Sequence, residues 1–322
     1  MTKEYMRWIS MFKLFDPEDG IKILDPPGEG SGFWAGAPSI IYDNYSDRFY
    51  LYYRRRKPRD QGRGYECGIS VSDDGIGFRE IWSAPKECFG SISVERAALV
   101  ITPEGMRRIY IGYVAPEDNR WKIDMIEADS FENLDPASKR LALAPEDCGV
   151  EGVKDPYVMI IGGKYYMFVS YAPSPVMKAD GLHTTADVFN TGKTSSNTGL
   201  ALSSDGIAWE WYGDVLSPQD DGWNAYAARI TCMIYNPPIF NVFYDGGASV
   251  GENYEERTGL AMTFDLLNFQ HVSETNPILV SPHSSGSLRY MDVIRVKGKI
   301  YFYYEYARRD GSHELRMNIV ED

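Results

Sequence analysis

Gly152-Val153-Lys154-Asp155-Pro156-Tyr157-Val158-Met159-Ile160-Ile161-Gly162-Gly163-Lys164-Tyr165-Tyr166-Met167-Phe168-Val169-Ser170-Tyr171 is two short apolar runs joined by Gly-Gly-Lys, which reads as a β-hairpin. Asp155 stands just before a proline that cannot donate to a ladder, so the acid marks the end of a sheet rather than its middle. The second run ends at Tyr171, back beside Asp155.

The same hairpin recurs. Ala37 to Ile41 pairs with Phe49 to Tyr53, and Glu95 to Val100 with Ile109 to Tyr113. Ala228 to Ile234 pairs with Ile239 to Tyr244, and Arg289 to Ile294 with Ile300 to Tyr304. A period of about sixty residues lies where repeats mean propellers or solenoids. A third strand follows, ending in Ser72-Asp73-Asp74-Gly75-Ile76-Gly77-Phe78 and in Ser203-Ser204-Asp205-Gly206-Ile207-Ala208-Trp209. Asp-Gly is a hairpin-turn signal, so each repeat is a meander of three or four antiparallel strands.

These repeats predict an all-β fold, a five-bladed β-propeller forming one domain over residues 1–322, with blades near 33–90, 91–147, 148–220, 221–283 and 284–322. The fifth repeat ends without an outer strand, so the strand-like stretch 8–15 is expected to close the last blade and remove an exposed edge. An aromatic content of 14% suits such a strand-rich chain.

A net charge of −13 argues against general nucleic-acid binding, which needs a basic surface. Cys67, Cys88, Cys148 and Cys232 are scattered and form no Cys-x-x-Cys pair, so buried thiols are expected, with no metal and no cofactor. The opening Met1-Thr2-Lys3-Glu4-Tyr5-Met6-Arg7-Trp8 lacks the order of a signal peptide and no apolar run reaches membrane-span length, which places the expectation in the cytoplasm. Asp25-Pro26-Pro27-Gly28-Glu29-Gly30-Ser31-Gly32 is glycine-rich, but no Gly-Lys-Ser/Thr and no helix follow, which argues against a phosphate cradle.

Strand direction turns the repeats into a map. The start of each first strand and the end of each second lie on one face. That face gathers Glu95, Arg96, Lys154, Asp155, Arg229, Arg289 and Tyr290 from strand starts, and Arg54, Tyr171, Asp245 and Glu305 from strand ends. Charges near a core must be paired or serve chemistry, so the alternatives are a catalytic site and a plug of ion pairs such as Lys154 with Asp155 and Glu95 with Arg96. Trp34, at the mouth, suits stacking on a sugar ring or plain packing. The long segment 172–197 carries His183 and reads as a lid or as surface ornament, as does the segment 246–254; His183 and His283 are alternative acids or hydrogen-bonding groups.

The pattern resembles the five-bladed β-propeller glycoside hydrolases of families 43, 32, 68, 117 and 130. Family 130 gives the nearest echo, with Gly-Val-Glu-Asp-Pro-Arg before a hairpin ending in Tyr-Tyr-Met and with Ser-x-Asp-Gly-Ile-x-Trp/Phe turns. Gly152 to Tyr157, Tyr165 to Met167 and the two turns are the counterparts here. Two departures stand out: Ala37-Pro38 occupies the place of the first-blade catalytic Asp of families 43 and 32, and Lys154 and Tyr157 replace the Glu and Arg of family 130. The resemblance implies that Asp155 is a catalytic or acidity-setting carboxylate.

Glycoside hydrolysis needs two carboxyl groups, one protonated and one ionised. With Asp155, the candidates for the second are Glu95 first, held ionised by its neighbour Arg96, then Glu305 and Asp245. The reading is a glycosidase acting on an oligosaccharide or glycoside, its substrate-binding set being Trp34, Arg54, Arg96, Lys154, Tyr171, His183, Arg229, Arg289 and Tyr290. Arg54, Arg96, Lys154, Arg229 and Arg289 point to an anionic sugar or to phosphate, so a glycoside phosphorylase is the rival. A noncatalytic carbohydrate-binding propeller is the reading suggested by Ala37.

Overall fold

The computed structural model describes residues 14–175 and 180–322 and is almost wholly β. β1 (Ile21–Leu24) precedes four meanders of antiparallel strands. The first comprises β2 (Trp34–Asp43), β3 (Arg48–Arg56), β4 (Gly64–Ser72) and β5 (Arg79–Pro85). The second comprises β6 (Val94–Ile101), β7 (Arg107–Val114), β8 (Trp121–Ala128) and β9 (Arg140–Leu143). The third comprises β10 (Gly152–Ile161), β11 (Lys164–Ala172), β12 (Asn197–Ser203) and β13 (Glu210–Leu216). The fourth comprises β14 (Ala227–Asn236), β15 (Ile239–Gly247), β16 (Arg257–Thr263) and β17 (Phe269–His271).

The last unit, β18 (Leu288–Val296), β19 (Lys299–Ala307) and β20 (His313–Glu321), has three strands from the C-terminal end of the chain; its fourth is β1, antiparallel to β20 with Ile21 opposite Met317. The strand expected at 8–15 lies outside the described residues as far as Lys13. Phe15 is buried, its ring 4.8 Å from that of Phe302 and 5.3 Å from that of Tyr304. Ile21–Leu24, just before the first meander, pairs along the outer side of β20.

Apolar side chains fill the space between sheets, and each core joins two units. Tyr52 and Ile69 of the first pack with Leu99 and Ile111 of the second; Ile123 and Met125 of the second pack with Met167 and Val169 of the third. Phe168 and Leu200 meet Ile230 and Val242; Cys232 and Phe243 meet Met291 and Phe302. The fifth unit returns to the first, with Tyr303 and Met317 against Ile40 and Leu51. Single parallel bridges, Ser196 with Ala227, Arg257 with Leu288 and Trp34 with His313, stitch neighbouring units at one end.

At that same end the innermost strands are bent. Register slips between Gly36 and Ser39, between Lys154 and Tyr157 and between Arg289 and Asp292 mark bulges. Each holds one non-glycine residue in the left-handed region: Ala37 (φ 53°), Asp155 (φ 52°) and Tyr290 (φ 52°). Such a conformation costs about 1–3 kcal/mol and persists only where the surroundings over-determine it. Of the four cysteines, all free, Cys67 and Cys232 are buried, whereas Cys88 is exposed and Cys148 half-buried.

Candidate active site

The bulged ends converge on a cluster of charged side chains that are almost wholly withdrawn from solvent. Glu95, Arg96, Lys154, Asp155, Arg229, Asp245, Arg289, Tyr290, Arg54 and Glu305 are all at most 3% exposed. Eight of these come from the starts of inner strands or the ends of second strands on β3, β6, β10 and β18–β19; Arg229 and Asp245 are cross-strand partners on β14 and β15.

Ions so buried must be matched. Glu95 receives Arg54 Nε at 2.8 Å and also Arg56 Nη1. Glu305 receives Arg289 Nη2 at 2.7 Å and Nε at 2.9 Å, with Arg54 Nη2 at 3.3 Å. Glu256 bridges Arg229 Nη2 at 2.8 Å and Arg289 Nη1 at 2.7 Å. Asp292 lies 3.6 Å from Arg96 Nη2 and accepts from Ile40 N. Asp155 Oδ2 meets Lys154 Nζ at 3.3 Å and accepts from the Tyr290 hydroxyl at 3.3 Å, whereas its Oδ1 is buried with no hydrogen-bond partner among the described residues.

These environments drive the carboxyl groups apart. Burial alone would raise Glu95, but Arg54, Arg56 and Lys154 outweigh it and hold it at about 2. Glu256 is likewise brought to about 2, against its burial, by Arg229 and Arg289. Glu305 is held well below the usual range because Arg289, Arg54 and His313 overcome its desolvation. Asp245 goes the other way: burial and the nearby Glu256 push it up to about 8, although both its oxygens accept from Tyr290 N at 3.0 Å. Burial also raises Asp292 to about 6. Ionised and proton-bearing carboxyl groups therefore stand in one cluster, the distribution that acid–base chemistry requires.

Above the cluster lies a cavity of about 310 Å³ lined by Ser31, Gly32, Trp34, Arg56, Pro58, Arg59, Asn253, Tyr254 and Glu255. Trp34 forms part of its wall, stacked at 4.9 Å on His313 with the Arg56 guanidinium 5.1 Å from its ring. Two loops meet beside it. The Tyr254 hydroxyl donates to Asp187 Oδ2, and Arg63 donates to the carbonyl of Ala186 at 3.1 Å. Ala186 (φ 51°) and Tyr254 (φ 85°) are both non-glycine residues in the left-handed region, so strain sits on either side of this contact.

Several expectations are corrected. Arg96 does not hold Glu95: both lie in the register slip between Val94 and Ala97, which re-aims their side chains, and Glu95 finds Arg54 and Arg56 while Arg96 turns to Asp292. Tyr171 is not in the cluster; its hydroxyl donates to Asp214 at 2.7 Å and its ring packs on Trp211. His183 lies away from Asp155, with Nε2 2.9 Å from Glu151. His283 lines a separate cavity with Tyr306 and Arg309. The long segment 172–197 does reach the cluster, but through Asp187 and Phe189, which stands 4.9 Å beneath Lys154 Nζ.

Cations and carboxyl groups are equal in number in the cluster, although Asp245, raised to about 8, keeps its proton near neutrality. Seven cations (Arg54, Arg56, Arg63, Arg96, Lys154, Arg229 and Arg289) face seven carboxyl groups (Glu95, Asp155, Asp187, Asp245, Glu256, Asp292 and Glu305), all buried. Sequence reasoning missed Glu255, Glu256 and His313 because it mapped only first-strand starts and second-strand ends. A third strand runs parallel to the first, so its start falls on the same face; Glu256 immediately precedes β16, and His313 opens β20. His313, buried, places Nδ1 2.9 Å from Glu305 Oε1 and Nε2 3.0 Å from Glu255 Oε2. No group of three or more His, Cys, Asp or Glu side chains arranged to hold a metal occurs among the described residues.

The fold is that of the β-propeller glycoside hydrolases and phosphorylases, as solved structures show. No protein-family model matches the chain, and no curated protein matches it. Among the solved structures that do, BT0996 in an RGII complex aligns at a TM-score of 0.69 and 16% identity, covering 100% of this protein and 96% of that one. The β-1,2-mannobiose phosphorylase of Listeria innocua, solved with β-1,2-mannobiose, aligns at 0.64 and 16% identity over 95% and 96% of the two proteins. The Bombyx mori GH32 β-fructofuranosidase BmSUC1 aligns at 0.62 and 15% identity over 99% of this protein and 66% of that one. At such identities the likeness is one of fold.

Proposed function

We propose that the protein is a five-bladed β-propeller glycosidase, its last blade completed by β1, that hydrolyses a glycosidic bond in an oligosaccharide or glycoside at the charged end of its inner strands. The five shared cores and the pairing of β1 with β20 support the architecture. The observation that carries the chemistry is Asp155: a strained carboxylate with one oxygen held by Lys154 and Tyr290 and the other without a partner, among carboxyl groups of opposed protonation. Hydrolysis asks for one carboxyl group that gives a proton to the departing oxygen and another that activates water or attacks carbon. Asp155, Glu95, Glu305 and Asp245 are the candidates; Trp34, 4% exposed and packed against His313, Arg56 and Arg289, forms the wall beside them.

Arg54 and Arg56 are taken up by Glu95, Arg229 by Glu256 and Arg289 by Glu256 and Glu305, which favours a neutral sugar over an anionic one. A phosphorylase is the second reading, favoured by buried guanidinium nitrogens without hydrogen-bond partners: Arg54 Nη1, Arg229 Nε and both Nη atoms of Arg96. The test is release of sugar from a panel of nitrophenyl glycosides and oligosaccharides, with and without inorganic phosphate, by wild type and Asp155→Asn. Asn tolerates the left-handed backbone, so the variant should fold while turnover falls about a hundredfold or more. Turnover only with phosphate would select the phosphorylase, and wild-type turnover by the variant would remove Asp155 from the chemistry.

A further inference from the structure

We infer that Glu255 is the acid that protonates the departing glycosidic oxygen, and that His313, pinned by Glu305, is its positioning residue. This rests on the glycosidase reading. The carboxyl groups of the central cluster are at most 5% exposed in their side chains, and none of them is among the residues lining the 310 Å³ cavity. Glu255 is different. It lines that cavity beside Trp34 and Arg56, and its side chain is 23% exposed. Its Oε2 accepts from Ser285 Oγ and lies 3.0 Å from His313 Nε2, while no partner of Oε1 occurs among the described residues.

The imidazole has carboxylate oxygens at both nitrogens, and each contact requires a proton between the heavy atoms. Glu305, ionised by Arg289 and Arg54, fixes the proton of Nδ1. The second proton is shared between Nε2 and Glu255 Oε2, next to the cavity. When the C1–O bond breaks, its electron pair stays with the departing oxygen, which takes that proton. Water adds to C1 and releases a proton that replaces the one the departing oxygen took, so atoms and charge balance over the turnover. Stacking on Trp34 and burial keep the ring from turning out of line.

The probes are phenyl and dinitrophenyl glycosides of the sugar that wild type cleaves fastest in the nitrophenyl panel. Dinitrophenolate departs without a proton, whereas phenolate needs one. Glu255→Gln should therefore lose about a hundredfold or more in kcat on the phenyl glycoside and less than about tenfold on the dinitrophenyl one. His313→Gln, which keeps a donor near Glu255 but cannot pass a proton, should lower kcat on the phenyl glycoside and leave KM unchanged. If Glu255→Gln does not fold by its melting curve, Glu255→Asp is read in its place and should show the same leaving-group dependence. Equal losses on both probes, or none, with an active wild type would overturn the inference and leave the glycosidase reading standing. A wild type that cleaves no glycoside would overturn both.

Discussion

The two ends of the meanders follow opposite rules. At one end the turns after the third strands repeat almost atom for atom: Asp74 accepts from Ile76 N and Gly77 N, Asp205 from Ile207 N and Ala208 N, and Asp265 from Leu267 N and Asn268 N. Ser72, Ser203 and Thr263 each accept from the backbone three residues on. Tyr303 and Tyr110 then reach from a neighbouring unit to the carbonyls of Gly75 and Gly206, both at 2.6 Å. At the other end the backbone also repeats, but the left-handed position holds Ala37, Asp155 and Tyr290 in turn. Where residues repeat with the backbone, they make the fold; where the backbone repeats and the residues diverge, the scaffold presents different chemistry at equivalent points.

Removing one charge from the divergent end should have the largest effect on stability. Glu95→Gln leaves Arg54 and Arg56 buried against a neutral amide, and breaking a buried pair in this way costs about 3–5 kcal/mol, to be read from urea unfolding. A loss no larger than that of a turn mutation would show that the central pairs are not matched as described.

The same end governs the response to pH. Asp245 has a folded value raised to about 8 from 3.8, so its contribution is full below 3.8 and is lost as pH rises through about 8. Glu95 and Glu256, lowered from 4.5 to about 2, act oppositely: their contribution is present above 4.5 and lost as pH falls through about 2. Asp245→Asn should therefore flatten the decline in unfolding free energy between 3.8 and about 8 while leaving the acid limb unchanged. An unchanged decline in that window would assign it to another group, Asp292 being next.

Backbone strain gives a smaller effect. Asp155→Val forces a β-branched side chain into φ 52° and should cost about 1–3 kcal/mol more than Asp155→Asn, measured as a difference in melting free energy. Equal stability would mean that the bulge relaxes. The smallest effect belongs to the repeated end, where Asp74→Ala removes two backbone acceptor contacts from an exposed turn and should cost about 1 kcal/mol.

This contrast also explains what was legible in the sequence. The hairpins and the Ser-x-Asp-Gly turns announce themselves because local chemistry demands those residues. The convergence of Arg54, Glu95, Asp155, Arg289 and Glu305 followed from strand direction alone. Which acid meets which arginine did not, because Glu95 pairs across two sheets with Arg54 and Arg56 rather than with its neighbour. Asp187 arrives on an irregular segment with no periodicity to place it, and Glu255, Glu256 and His313 sit at third-strand starts, where no apolar hairpin drew attention. The pairing of Ile21–Leu24 with β20 was not legible, because it depends on the register of Met317 and Leu315, which no local pattern reveals.

A crystal structure with the cleaved sugar bound tests the central claim most directly. The account predicts a sugar ring in the 310 Å³ cavity, with Glu255 within hydrogen-bonding distance of the glycosidic oxygen and Asp155 on the side of the cluster below it. A sugar bound elsewhere, with Trp34, Glu255 and the Asp155 cluster untouched, would contradict it.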